Sequence, residues 1–206
     1  TGRTVSVTGS AVLEASGRDG GGTVRVGGGL QGQATDLANA WTTTVGPNTR
    51  IAADARERGD GGTVVVWSDD LTRVEGALSA RGGAKAGDGG FIETSGNADV
   101  RTTGSATSAA GNVDLTAGVP DTSTLDPQVI AQALDQGTNV TLTTGAGGTA
   151  AGDITLQDGI VRNTAAPSTL TLNASRHIIV KAGISSAFGP LNLVFRASGE
   201  TIVQPN

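Results

Sequence analysis

Short runs of alternating apolar and polar residues recur along the whole chain, and most are followed by glycine, alanine or serine. Examples are TVRV at 23–26, TVVVW at 63–67, NVDL at 112–115, NVTL at 139–142 and TLTL at 169–172. Alternation of this kind is typical of half-buried β-strands, because successive side chains point to opposite faces of a sheet. The pattern therefore predicts an all-β protein built from many short strands.

The spacing of these runs indicates how the strands are arranged. When the apolar residues that follow glycine turns are aligned, Val64, Phe91 and Val113 lie 27 and 22 residues apart, and Leu170 and Leu191 lie 21 apart. Such repeats are typical of a parallel β-helix, in which each coil of two or three strands pairs with the next at about 4.8 Å. We predict about nine coils of roughly 22 residues and a rod about 40 Å long. A β-sandwich is the competing all-β fold, but the sequence contains no Asn-Gly hairpin turn.

Two segments interrupt the strand pattern. In residues 126–137, Asp126 is placed to cap a helix and Pro127 to occupy its first position, which predicts a short helix packed on the rod. Residues 30–49 contain Trp41 and are predicted to form a loop excursion. Residues 1–206 are predicted to form a single β-helix segment, and the helix and the loop excursion belong to it.

Composition and charge narrow the functional classes. The chain has 33 glycines and only 2% aromatic residues, so a narrow core of small aliphatic side chains is expected, as in a solenoid. The net charge is −5 without a Lys/Arg cluster, which argues against nucleic acid as a partner. The absence of cysteine excludes disulfides and thiolate chemistry. No apolar run reaches the roughly 18 residues of a membrane span.

Three glycine-rich turns share one motif. Asp-Gly-Gly occurs at 19–21, 60–62 and 88–90. Glycine allows stacked backbones to approach closely at a corner, and aspartate closes such turns by bonding the backbone. We therefore interpret Arg58-Gly59-Asp60 first as part of a corner, and an adhesive turn is the alternative. A weak cation site between Asp60 and Asp88 is a further alternative, although tandem calcium-binding nonapeptides are absent.

No catalytic, cofactor or metal site is predicted, and we expect a protein that is not an enzyme. Asp69 and Asp70 follow Trp67, but a glycosidase requires two carboxylates at a defined separation, one of them with a raised pKa. These two aspartates occupy an ordinary turn. The single histidine, His177, lacks a neighbouring His, Cys or acid in the sequence, so no metal ligand set or Ser-His-Asp set is predicted.

Several motifs carry a resemblance to a known family. RIAADARERGDGGTVVVW at 50–67, SARGG at 79–83, GDGGFIETSG at 87–96 and GTNVTLTTG at 137–145 resemble the filamentous-haemagglutinin-like exoproteins of Gram-negative two-partner secretion systems. The resemblance extends from about residue 20 to 199. It implies a right-handed parallel β-helix, export through the outer-membrane transporter of the parent protein, and a location on the cell surface or outside the cell. The family's secretion domain is not visible, so we expect a segment of a longer protein.

We therefore expect a non-catalytic structural or adhesive segment of a secreted Gram-negative surface exoprotein, which contacts a host or neighbouring cell surface. One alternative is a module that captures a host protein such as a haem carrier, with the loop around Trp41 as the binding surface. A second alternative is a self-assembling extracellular fibre. In that case copies of the chain would stack end to end through unpaired strands.

Overall fold

A computed structural model describes residues 2–108, 111–117, 124–144 and 152–204. Within these ranges the chain forms 21 strands, one α-helix and one 3-10 turn, Leu30–Gly32. The strands are β1 (Thr4–Val7), β2 (Val12–Glu14), β3 (Thr23–Val26), β4 (Thr42–Val45), β5 (Arg50–Ala52), β6 (Thr63–Ser68), β7 (Leu71–Val74), β8 (Ala77–Ser79), β9 (Phe91–Gly96), β10 (Asp99–Thr102), β11 (Ser105–Thr107), β12 (Asn112–Ala117), β13 (Thr124–Leu125), β14 (Asn139–Thr144), β15 (Ile154–Leu156), β16 (Ile160–Arg162), β17 (Ser168–Ala174), β18 (Ile178–Val180), β19 (Ile184–Ser186), β20 (Leu191–Ala197) and β21 (Thr201–Val203). The helix α1 (Pro127–Asp135) lies between β13 and β14.

The strands are arranged in tiers of three consecutive elements, and each strand pairs in parallel with its counterpart in the next tier. The first sheet has the order β1-β4-β7-β10-β13, and the second has the order β2-β5-β8-β11. The third sheet contains seven strands, in the order β3-β6-β9-β12-β14-β17-β20. A fourth sheet, β15-β18-β21, and a fifth, β16-β19, follow in the later tiers. Helix α1 takes the second place in the fifth tier, between β13 and β14.

One apolar column runs along the inward face of the third sheet. Val64, Ile92, Val140 and Leu170 occupy equivalent positions on their strands, and Val113 takes the same position on β12. Each of the first four side chains is at most 1% exposed. The alternation seen in the sequence thus separates an inward from an outward face. The prediction of an all-β protein with parallel strands is confirmed.

The predicted spacing of the tiers was wrong. Phe91 pairs with Thr63, while Val64 pairs with Ile92, 28 residues later. Because a shift of one residue moves a side chain to the other face, Phe91 does not belong to the apolar column. Leu170 pairs with Leu193 and not with Leu191, which pairs with Ser168.

The tiers differ in length because their connecting segments differ. Val64 and Ile92 are separated by 28 residues, whereas Ile92 and Val113 are separated by 21. The described residues place seven strands in the third sheet, in contrast to the nine coils that a uniform repeat predicted. At about 4.8 Å per strand, this sheet is about 29 Å across.

The helix forms where the sequence predicts it. Asp126 is the N-cap, and its side chain accepts a hydrogen bond of 2.9 Å from the Gln128 backbone N–H. Gly137 adopts φ +75° just beyond the helix, which favours glycine. Ile130 and Leu134 lie on the buried face. Within the described ranges, no helix combines the length and apolar character needed to cross a bilayer.

The loop excursion is shorter than the predicted range of 30–49. Strand β4 lies inside that range and pairs with both β1 and β7. Its β-branched residues alternate in burial, and Thr43 and Val45 are fully buried, so this part of the segment belongs to the first sheet. The excursion therefore occupies residues 27–41, and we call it the covering loop.

Candidate functional site

The tripeptide Arg58-Gly59-Asp60 lies in the corner between β5 and β6. Gly59 adopts φ +83°, and a Cβ atom there would collide with the Asp19 backbone oxygen, so glycine is required. Asp60 Oδ1 accepts a hydrogen bond of 2.9 Å from the Asp88 N–H. Arg58 Nε lies 3.5 Å from Asp19 Oδ1. Both charged ends of the tripeptide thus have partners within the corner, and an adhesive role stays a prediction.

The structure brings Asp60 and Asp88 together in adjacent tiers, where a cation was considered. The contact between them is a hydrogen bond from the backbone of Asp88 to the carboxylate of Asp60. This bond itself closes the corner. Across the part of the chain that the structure describes, no three His, Cys, Asp or Glu residues form a group suited to a metal ion.

The covering loop packs on the outward face of β6 and β9. Gly28 and Gly32 lie so close to the Trp67 indole that a Cβ atom at either position would collide with the ring. As a result Trp67 is only 5% exposed although it points away from the apolar column. Trp41, the predicted binding residue, ends the loop and is 50% exposed. Half of its surface is therefore available to a partner.

Two polar contacts fix the covering loop to the sheet. The Gln31 backbone N–H donates to both oxygens of Glu93, at 2.9 and 3.2 Å, and Gln31 adopts φ +51°. Glu93 is only 1% exposed. Arg25 forms two hydrogen bonds with Asp36, of 2.8 and 2.7 Å. Hydrogen bonding by Arg25 holds the pKa of the Asp36 carboxyl below its ordinary value.

Asp69 and His177, which were considered for a catalytic or metal site, have structural contacts. Asp69 Oδ1 accepts hydrogen bonds from Asn39 Nδ2 at 3.0 Å and Asn97 Nδ2 at 3.2 Å. The Asp69 carboxylate therefore holds the covering loop against the turn after β9. His177 Nδ1 accepts a hydrogen bond of 2.9 Å from the Glu200 backbone N–H and so links two tiers.

A charged groove on the corner loops was missed by sequence reasoning. It has a volume of about 330 Å³ and is lined by Glu14, Ser16, Arg50, Asp54, Ala55, Arg56, Arg81, Gly82 and Ala84. We call it the arginine groove. Its three guanidinium groups face two carboxylates, which gives it a local charge of +1 in a chain whose net charge is −5.

Asp54 is the buried centre of the arginine groove, with 6% of its side chain exposed. Its Oδ1 accepts hydrogen bonds from Ser79 Oγ at 2.5 Å and the Arg81 N–H at 2.8 Å. Its Oδ2 accepts from Arg81 Nη2 at 2.8 Å and Arg50 Nη2 at 3.1 Å. Burial raises the pKa of Asp54, but the hydrogen bonds from Arg81 and Ser79 outweigh burial and hold this pKa below its ordinary value. The carboxylate is thus firmly ionised at neutral pH.

Glu14 is the second carboxylate and is more accessible, with 39% of its side chain exposed. Its Oε1 accepts a hydrogen bond of 2.8 Å from Arg56 Nη2 and lies 3.9 Å from Arg50 Nη1. The hydrogen bond from Arg56 holds the pKa of Glu14 below its ordinary value. The groove therefore combines one buried and one exchangeable carboxylate.

Strand register is the signal that would have revealed this groove. Leu13, Ile51 and Leu78 pair in register in the second sheet. Counting three residues on from each gives Ser16, Asp54 and Arg81, so these three stack. No single stretch of sequence contains this set, because each member comes from a different tier.

No family model and no curated protein matches the chain. Function is therefore inferred from the stacked tiers, the covering loop and the arginine groove.

Proposed function

We propose that the chain is a right-handed parallel β-helix that serves as a non-catalytic, rigid structural and adhesive segment of a secreted Gram-negative surface exoprotein. One observation carries this proposal: the parallel, in-register stacking of equivalent strands through seven tiers of the third sheet. Each further tier of such a stack adds about 4.8 Å of length without widening the molecule. A stack of this kind is suited to setting the distance between a cell surface and a distal binding partner.

The connections between paired strands support the right-handedness that we propose. Strands β3 and β6 are parallel neighbours in one sheet, and the chain between them passes through β4 and β5 in two other sheets. Crossovers between parallel neighbours are right-handed in nearly all proteins. Three sheets connected in this order support a closed coil, which is also what the filamentous-haemagglutinin-like motifs imply.

Backbone contacts at the corners support a rigid role. A Cβ atom at Gly90 would collide with the backbone oxygens of Gly61 and Gly62 in the preceding tier. Glu93 and Asp69 accept hydrogen bonds from the covering loop and hold it on the third sheet. Carboxylates that fix a loop favour a structural role for this face over catalysis.

The adhesive part of the proposal rests on the features that project from this rod. Trp41 exposes half of its side chain, and the corner loops carry the arginine groove. The partners we propose are a host or neighbouring cell surface and, for export, the outer-membrane transporter of the parent protein. Capture of a host haem carrier stays a prediction, because no particular contact favours it.

Duplication of one tier tests the rod directly. A variant that carries three extra copies of residues 63–90 should be longer by about 14 Å at an unchanged cross-section, because each copy adds one strand spacing. Small-angle scattering measures both quantities, and electron microscopy images the same samples. As a control, a flexible Gly/Ser segment of equal length inserted after residue 90 should not lengthen the rod in this regular way. A wider molecule of unchanged length would contradict the proposal.

The self-assembling fibre is a second candidate, and one observation favours it. Leu193 continues the apolar column on β20 yet is 45% exposed, because β20 is an edge of the third sheet in the described residues. An unpaired apolar edge of this kind can accept another strand. Electron microscopy at increasing concentration distinguishes the two roles. End-joined filaments with a repeat near 4.8 Å would support the fibre, and discrete rods at every concentration would contradict it.

A further inference from the structure

We propose that the arginine groove binds the carboxylate group of an acidic sugar, and that Glu14 occupies the place of this carboxylate in the free protein. The inference goes beyond the rod function, since it requires only that the corner loops of the first three tiers stack as observed. It rests on how the five charged side chains of the groove divide into a fixed and an exchangeable set.

The fixed set is organised by Asp54. Its carboxylate is buried and accepts hydrogen bonds from Arg50, from Ser79 and from both the backbone and the guanidinium of Arg81. Removing this carboxylate would leave two guanidinium groups without their common partner, so Asp54 stays in place when a ligand binds. Arg50 and Arg81 are thereby held in orientation before any ligand arrives, which lowers the entropic cost of binding.

The exchangeable set is the pair Glu14 and Arg56. Their side chains are 39% and 60% exposed, and ion pairs at such exposed positions contribute little stability. Replacing the Glu14 carboxylate with a ligand carboxylate therefore costs little. The incoming group would accept hydrogen bonds from Arg56 and lie beside Arg50, as Glu14 does now.

The groove has more donors than its own carboxylates can satisfy. A guanidinium group carries five N–H donors, and a carboxylate accepts about four hydrogen bonds. Three guanidinium groups thus offer about 15 donors to about eight acceptor positions. Because arginine matches the planar geometry of a carboxylate with two parallel hydrogen bonds, a ligand carboxylate that takes the place of Glu14 finds unused donors beside the one that Glu14 now engages.

The size and lining of the groove indicate what carries this carboxylate. A volume of about 330 Å³ lies at the lower end of small-molecule sites. Its apolar lining consists of Ala55 and Ala84 with Gly82, and Ser16 adds a hydroxyl group. Without large apolar or aromatic side chains in its lining, the groove favours a hydroxyl-rich ligand over a lipid or an aromatic compound. A uronate sugar combines hydroxyl groups with one carboxylate.

Titration of the full chain with glucuronate tests the proposed chemistry. Side-chain NMR signals of Arg50, Arg56 and Arg81 should shift in a saturable manner with glucuronate and stay unchanged with its methyl ester, which lacks the charge. Glucose 6-sulfate forms the third arm. Equal binding of the sulfate would overturn the assignment to a carboxylate, and absence of any saturable shift would overturn the site itself.

Two substitutions and one control test the exchange of carboxylates. Glu14→Gln removes the competing charge and should tighten glucuronate binding about fivefold, a gain that misfolding cannot imitate. Arg56→Met should weaken it about tenfold, because one charge-assisted hydrogen bond is lost. Arg101→Met removes an exposed arginine whose partner is Asp99 and should leave glucuronate binding unchanged.

Unchanged or weaker glucuronate binding by Glu14→Gln would show that Glu14 does not occupy the place of the ligand carboxylate. The tier-duplication experiment does not depend on glucuronate binding, so each of the two proposals can be contradicted without the other.

Discussion

The parts of the chain before and after α1 differ in how their tiers are held together. Before α1, glycine corners bring backbones into direct contact, and ion pairs connect the corner loops, as in the pairs of Asp54 with Arg81 and Glu57 with Lys85. Aliphatic side chains fill the interior on both sides of α1, for example Ile51 before it and Leu172 after it. The first part therefore adds many close backbone contacts to its side-chain packing, and the later part has fewer such contacts among its described glycines.

Hydrogen bonds between a side chain and the backbone of a neighbouring tier occur on both sides of α1, and after α1 they include two at the later corners. Ser175 Oγ donates to the Thr144 backbone oxygen at 2.6 Å, and His177 Nδ1 accepts from the Glu200 N–H at 2.9 Å. Contacts of this type tolerate small shifts between tiers better than a backbone contact does. Substitutions at equivalent corners should therefore have unequal effects in the two parts.

Helix α1 is the joint between these parts. The second sheet ends at β11 and the fifth begins at β16, while α1 packs against both strands. Arg162 on β16 is fully buried and donates from Nε to the Leu134 oxygen at 3.4 Å, near the C-terminal end of the helix. A buried cation is favoured at this end by the helix dipole. Among the residues that the structure describes, only the third sheet passes through this tier without a break.

The largest effect is expected at this joint. Leu134→Ala should lower the free energy of unfolding by about 4 kcal/mol, because the side chain is fully buried and its removal leaves a cavity. Chemical denaturation measures this loss, and hydrogen exchange should show faster opening on both sides of α1. Val161→Ala, on the exposed face of β16, is the matched control. A loss below about 1 kcal/mol for Leu134→Ala would mean that the helix is not needed to join the two parts.

A glycine pair tests the difference between the corners. Gly90→Ala should destabilise the protein by about 3 kcal/mol, because the new methyl group meets the backbone oxygens of Gly61 and Gly62. Gly183→Ala, in the later part, has open space at its Cβ position and should change stability by less than about 1 kcal/mol. Thermal or urea unfolding of the two variants measures both changes in stability. Equal losses of stability in the two variants would contradict the view that close backbone contacts at the corners matter more before α1 than after it.

A carboxylate pair tests the same comparison through pH. Asp54→Asn should cost about 2 kcal/mol at pH 7, because its charged hydrogen bonds are lost. The folded-state pKa of Asp54 is lowered, so its stabilisation is present above the ordinary aspartate pKa of about 3.9 and disappears as pH falls through the lower folded value. The variant and the wild type should therefore converge in acid.

Asp153 is the counterpart in the part of the chain after α1. Its pKa is also lowered, mainly by the hydrogen bond from Arg176, but that pair is exposed to solvent and contributes little. Asp153→Asn should show no measurable loss in denaturation at any pH. A loss as large as that of Asp54→Asn would contradict the view that ion pairs stabilise mainly the first part.

A smaller effect than that of Asp54→Asn is expected for Asp60→Ala. Its carboxylate accepts one backbone hydrogen bond at the corner, so stability should fall by about 1 kcal/mol or less. Adhesion of the immobilised chain to integrin-bearing cells should stay unchanged, because the tripeptide is engaged in the corner. Asp158→Ala, on an exposed turn of the later part, is the control. Loss of adhesion in Asp60→Ala alone would support the adhesive turn instead.

Local sequence patterns predicted the strands and the helix well. Alternation identified β3, β6 and β17, and the cap at Asp126 with Pro127 located α1, because these signals depend on neighbours a few residues away. The length of the covering loop was overestimated. Thr43 and Val45 look like loop residues in a segment rich in threonine, and only pairing with β1 and β7 makes them part of a sheet.

Alternation along the chain determined which residues can share a face of a strand, since the side-chain period of two is a local property of the backbone. Tertiary structure alone decided which strand pairs with which residue of the next tier, because connecting segments of unequal length permit several registers. That register placed Phe91 outside and Ile92 inside. It also assembled the arginine groove from Asp54 and Arg81, which are 27 residues apart and meet only when their tiers stack.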